Sequence, residues 1–170
     1  DFKLTGPERT TVQRALKASL NMNRLSSALL WLARESEKPI EKTSVNVDKF
    51  CRQQVADHQY LIANREVEIQ CDIDVKSMVI EEDLLLIVFA NLLRNACQFT
   101  SEGLIHIKLN EQSLSIQNPV EANKSVRPSS YQSFGLGLQL VERICKKLNW
   151  QFSFIEEANY VQVSVFWKSE

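Results

Sequence analysis

Asn91 and Asn95 stand four residues apart in a segment whose stretch from Leu84 to Ala90 is wholly apolar. On a helix that spacing puts both amides on one face. Burying an amide without a partner costs about 1–3 kcal/mol, so something polar must meet it. An Asn side-chain oxygen is a hard ligand suited to Mg²⁺, which keeps several waters and bridges to substrate phosphates. The alternative at this level is that both amides cap neighbouring backbone or loop groups. Some forty residues later comes Phe134-Gly135-Leu136-Gly137-Leu138. Glycines at a loop-to-helix junction let backbone approach a ligand closely, and a helix N-terminus attracts phosphate. The segment is not a dinucleotide fingerprint, because a third glycine and an immediately preceding strand are missing. It is not a P-loop either, lacking the GK[ST] ending. Taken alone, two glycines near a helix start are more often turn chemistry than a phosphate site.

The remaining side chains with reactive chemistry are few. Cys51, Cys71, Cys97 and Cys145 have no CxxC or His/Cys metal spacing and read as reduced, packed thiols. His58 lies in Ala56-Asp57-His58-Gln59-Tyr60 and His106 on a strand; both read as structural or exposed. The chain has 170 residues, a hydrophobic fraction of 44%, a charged fraction of 24% and a net charge of -1. These values suit a soluble domain and argue against nucleic acid or an anionic membrane as partner. No apolar run reaches membrane-span length, so any membrane anchor lies outside this segment.

The elements that must position these groups follow from periodicity. Pro7 to Glu37 predicts one long helix, with Ala15, Met22 and Leu29 in one heptad row and Ala18, Leu25 and Leu32 in the other. Such a stripe needs a partner, either a second copy or a further segment. Ser36 to Ser44, with Pro39, is a polar connector that divides the chain into residues 1–38 and 39–170. Beyond it, Val45 to Val47 reads as a short strand, and Asp48 as the cap of a helix running to about Asn64. Val67 to Ile73 is a half-buried strand by alternation, and Met78 to Ile80 a second short one. Glu81 to about Thr100 is a helix expected to lie deep against a sheet.

Leu104 to Leu109 and Ser113 to Gln117 predict strands joined by an Asn110-Glu111-Gln112 turn. Asn118 to Ser133 reads as a mobile loop by composition. Gly135 to Asn149 is a helix, and Trp150 to Ile155 with Tyr160 to Trp167 a closing hairpin. In that hairpin Val161, Val163, Val165 and Trp167 point inward. The fold class is α+β: a two-layer α/β sandwich behind one long bundle helix.

With these elements in place, EEDLLLIVFANLLRNACQFTSEGLIHIKL resembles the N box and following strand of bacterial sensor histidine kinases. GLGLQLVERICKKLNW resembles their second glycine box, and NMNRLSSALLWLARESE the second helix of their dimerisation and phosphotransfer domain. The resemblance spans nearly the whole chain in the family's order. It implies the Bergerat or GHKL ATP-binding sandwich, with ATP and Mg²⁺ as cofactors. Carried over by position, Asn95 would hold Mg²⁺, with Asn91 a supporting polar residue one turn earlier. Gln98 falls where relatives have a phosphate-contacting Lys, and Phe99 where an aromatic packs at the nucleotide. Gly135, Leu136, Gly137 and Leu138 would line the base of a lid running from Pro119 to Ser133. Lys124 and Arg127 are its only cations, able to reach phosphate or to remain solvated.

Two departures qualify that resemblance. Where the family's first glycine box supplies an Asp for the adenine amino group, this chain has Asn118-Pro119-Val120. Asn118 offers a carbonyl oxygen but no charge. Neither His sits in the family's phosphoacceptor pattern, so that helix is expected upstream of Asp1. The resemblance therefore implies the cytoplasmic catalytic part of an inner-membrane bacterial sensor. It would pair as a homodimer through the N-terminal helix and relay phosphoryl to a response-regulator receiver domain. The rival is a degenerate kinase-like module working through dimerisation or partner docking. A third reading, an ATPase of the chaperone or mismatch-repair branch, lacks the Glu base expected beside Asn91.

Overall fold

The computed structural model describes residues 41–120 and 136–167, together with Thr11, Val12, Ser19, Met22 and Ser26. The chain divides into two compact units, Asp1–Glu37 and Lys38–Glu170. In the first, the five described residues are helical and exposed, Met22 among them. The remaining heptad positions of the expected bundle helix lie outside the described residues.

The second unit begins with strand β1 (Thr43–Asn46), helix α1 (Val47–His58) and a 3-10 turn at Gln59–Leu61. Asn46, not Asp48, caps α1: its side chain accepts from the Lys49 backbone N–H at 3.0 Å. The expected cap lies two residues too late, and Val47 opens the helix rather than closing the strand. Asp48 instead bonds Arg52 one turn on, at 2.8 Å. The helix stops at His58 rather than near Asn64. There the His58 Nδ1 bonds the Gln54 carbonyl at 2.8 Å, and the ring is fully buried.

Strands β2 (Glu66–Ile73) and β3 (Ser77–Ile80) precede helix α2 (Glu82–Phe99), which carries both asparagines. Strands β4 (Glu102–Leu109) and β5 (Ser113–Pro119) follow, then helix α3 (Leu136–Leu148) and the hairpin β6 (Gln151–Glu156) and β7 (Tyr160–Phe166). The five-stranded sheet has the order β2-β4-β5-β7-β6, while β1 and β3 pair apart as an antiparallel ribbon. Only β2 and β4 run parallel, and α2 is the crossover between them in sequence. Asn110 closes the β4–β5 turn, its side-chain oxygen accepting from the Gln112 and Ser113 N–H groups at 2.9 and 2.8 Å.

Alternation decides which face the helices cover. Ile105, Ile107 and Leu109 of β4, Leu114 and Ile116 of β5, and Val161, Val163 and Val165 of β7 are all buried. Against them lie Leu84, Leu85, Val88, Phe89, Leu92 and Leu93 of α2, and Leu138, Val141 and Ile144 of α3. Phe50 of α1 meets Phe89 edge-on, with ring centroids 5.4 Å apart. The opposite sheet face is polar, carrying His106, Ser115 and Gln117. This is the two-layer α/β sandwich that the periodicity predicts.

Two local results depart from expectation. Leu86 is 39% exposed and Ile87 only half-buried, so α2 shows a solvent stripe inside its apolar run. Asn118 and Pro119 belong to β5 and pair with Val161 and Tyr160, so the irregular segment starts later than the sequence suggests. Strand pairing across β7 holds these two residues extended, against their turn-forming composition.

Candidate functional site

The site is built where the N-terminal turn of α3 meets the middle of α2. Helix α2 starts with Glu82 and Asp83, carboxylates that suit the positive end of its dipole. At its other end Thr100 Oγ1 donates to the Ala96 carbonyl at 2.7 Å. The Arg65 guanidinium donates from Nη1 to the carbonyls of Cys97 and Thr100, at 2.8 and 2.9 Å. These carbonyls have no intrahelical donor, so a cation from 35 residues upstream completes the helix end. Nothing in the local sequence around Arg65 signals this contact; the separation in sequence conceals it.

Helix α3 is held at its far end by Lys146 and Lys147 in its last turn and by Asn149, whose φ of 56° ends the helix. Trp150 N–H then returns to the Cys145 carbonyl at 2.8 Å. At the near end Leu136 is 64% exposed, while Leu138 is buried. Between them Gly137 faces Asn91: a Cβ built on this glycine would stand 2.9 Å from Asn91 Oδ1. The two segments singled out in the sequence therefore touch.

The asparagines differ in what they meet. Asn91 Nδ2 donates to the Ile87 carbonyl one turn back, at 2.7 Å. That is the local capping alternative, realised for one amide of the two. Asn95 Nδ2 is buried and has no hydrogen-bond partner among the described residues. A buried amide in that condition has hydrogen-bonding capacity to spare. Turning it over about its last torsion presents the oxygen at the same place. This donor set fits Mg²⁺ as one amide oxygen completed by phosphate and water. Among the described residues no three His, Cys, Asp or Glu side chains gather to hold a metal.

Gln98 and Phe99 are both exposed in the last turn of α2. Asn118 is only 6% exposed, and its Nδ2 donates to the Pro119 carbonyl at 3.1 Å, leaving Oδ1 as its acceptor. Pro119 in turn crowds Gly103, where a Cβ would lie 3.2 Å from the Pro119 Cγ. Gly103 has φ +97°, a conformation that other residues rarely adopt, and no motif in its sequence neighbourhood marks it. Lys124, Arg127 and Gly135 lie outside the described residues. His106 Nε2 bonds Asp72 Oδ2 at 2.6 Å on the outer sheet face. The Gln70 amide and then His106 hold the Asp72 carboxyl below the usual carboxylate range.

No family model matches the sequence, and no curated protein matches it. Solved structures do. The histidine kinase AdeS of Acinetobacter baumannii superposes with a TM-score of 0.73 at 12% identity, covering 98% of this chain and 86% of that one. The cytoplasmic segment of histidine kinase QseC gives 0.61 at 17%, covering 100% and 99%. Full-length ShkA in complex with AMPPNP gives 0.69 at 17%, covering 99% of this chain and 41% of that one. The chain therefore has the fold of sensor histidine kinase structures, a two-layer sandwich consistent with the GHKL type. Among the described residues no helix is long and apolar enough to cross a membrane.

Proposed function

We propose that this chain is the catalytic part of a sensor histidine kinase and binds Mg-ATP in the region bounded by α2, the first turn of α3 and the end of β5. The observation that carries this reading is Asn95: a buried amide nitrogen without a partner among the described residues, one turn along α2 from where Gly137 meets Asn91. Its support is the shared fold, and the AMPPNP held by one protein of that fold. Bound Mg²⁺ would neutralise charge on the phosphates. Asn95 would hold it by one oxygen, and the positive end of α3 would face the anion. Asn118 Oδ1 would accept from the adenine amino group. Lys124 and Arg127 would add positive charge, with Gly135 allowing close backbone approach.

The γ-phosphoryl acceptor would be a His of another segment. His58 is fully buried, and His106 is paired with Asp72 on the outer face. Transfer would then rest on positioning and charge neutralisation, with relay to a receiver-domain Asp and homodimerisation through residues 1–38. A second reading, a module with little nucleotide affinity, draws on Asn118, where an uncharged amide tied to the Pro119 carbonyl stands at the adenine position.

Calorimetric titration with a non-hydrolysable ATP analogue, with and without Mg²⁺, separates the two. Sub-millimolar, Mg²⁺-dependent binding is expected, and Asn95→Ala should remove the Mg²⁺-dependent part, weakening affinity about tenfold or more. Binding weaker than millimolar favours the second reading. Unchanged binding by Asn95→Ala refutes the assignment of the metal to that residue.

A further inference from the structure

Asn91 and Asn95 repeat the same residue type on one helix face, yet only Asn95 Nδ2 is left without a partner. Asn91 is fixed from two sides. Its Nδ2 is committed to the Ile87 carbonyl at 2.7 Å, which sets the amide's orientation and turns Oδ1 towards α3. There Oδ1 meets Gly137 so closely that a Cβ would fall 2.9 Å from it, closer than real Cβ contacts come. Gly137 is the second residue of α3, in the turn whose N–H groups have no intrahelical acceptor. A carbonyl oxygen suits that positive end of the helix.

We infer that Asn91 and Gly137 are a matched positioning pair: Asn91 sets how closely α3 seats on α2, and residue 137 is glycine because Asn91 is there. Asn91 is then a positioning residue, not a ligand. Its amide holds the first turn of α3 at a fixed distance from Asn95 along the same helix. The glycine at 137 answers to a protein atom, whatever the neighbouring glycine does. The effect on nucleotide rests on the function proposed above; the steric pairing does not.

The same distances say how the pair can be exchanged. Replacing Asn91 by Ala removes the contacts at 2.9 and 3.7 Å and leaves only its Cβ, 3.9 Å from the new methyl, an ordinary packing distance. Gly137→Ala alone forces the helices apart or Asn91 out of place. Asn91→Ala alone opens a gap at the α2–α3 contact. Together they substitute one filled contact for another.

The test is a four-way comparison of the unaltered chain, Gly137→Ala, Asn91→Ala and the double variant. Melting temperature and affinity for a non-hydrolysable Mg-ATP analogue are both measured. Gly137→Ala is expected to melt at least about 3 °C lower, with the double variant recovering most of that loss. Both single variants should bind the analogue more weakly, and the double variant more tightly than either. If Gly137→Ala does not fold, folding of the double variant is the expected rescue. A double variant that melts at the sum of the two losses, or does not fold, overturns the pairing. One that melts as expected but binds no better than Asn91→Ala overturns the positioning role, since Asn91 then acts as a ligand. If the unaltered chain binds no analogue while the melting pattern holds, the proposed function fails and the steric pairing stands.

Discussion

At the scale of single residues, two side chains of one type do different work because their surroundings differ. Asn91 finds a carbonyl one turn back, and Asn95 Nδ2 finds no partner among the described residues, although the sequence presents them as equivalent. Asn118 shows the same dependence on context. If Asn118 faces the adenine amino group as proposed, Asn118→Asp would offer that group a charge. The geometry adds an opposing effect. The substitution exchanges Nδ2, a donor to the Pro119 carbonyl, for an oxygen that faces a carbonyl in a buried place. Asn118→Asp should therefore destabilise the nucleotide-free protein by about 1–3 kcal/mol. Thermal melting checks this, and an unchanged or higher midpoint would contradict the bond to Pro119.

At the scale of elements, α2 is the piece on which the site depends, and its two ends are secured in different ways. The N-terminal end carries its own acidic residues, a feature visible in the sequence. The C-terminal end is completed from outside by Arg65, in the connection just before β2. Arg65→Ala should cost about 1–2 kcal/mol by leaving the Cys97 and Thr100 carbonyls without a donor. Arg65→Lys should recover part of it, since the charge at the helix C-terminus is kept. Urea unfolding of the two variants measures both effects; equal midpoints for the unaltered chain and Arg65→Ala would exclude the contact as a support. Periodicity made α2, α3 and the closing hairpin legible. It missed the cap at Asn46 and the extension of β5 through Pro119, because strand pairing and side-chain capping overrode local composition.

At the scale of the whole molecule, the helical layer and the sheet exclude water from three of the four cysteines. Burial pushes the Cys51 and Cys145 thiols up to about 12 and Cys97 to about 11, while the half-buried Cys71 is raised as well. An unfolded thiol ionises near 9.0, so the folded chain holds more protons than the unfolded one above that pH. This contribution to stability is complete below about pH 9 and is lost as pH rises towards 11 or 12. The urea midpoint should fall steadily over that window. At about pH 8 a thiol reagent should modify Cys71 first and the other three only on unfolding. Rapid reaction of all four in the native state would contradict the packing described. The sequence by itself determined the order of elements, the apolar faces and the two polar segments worth watching, because periodicity and residue type are local properties. Tertiary structure alone decided that Gly137 meets Asn91, that Arg65 closes α2 and that Asn95 is the amide left with a buried, unpartnered nitrogen. The first two are contacts between residues dozens of positions apart and the third is the lack of one; all three depend on how the layers pack.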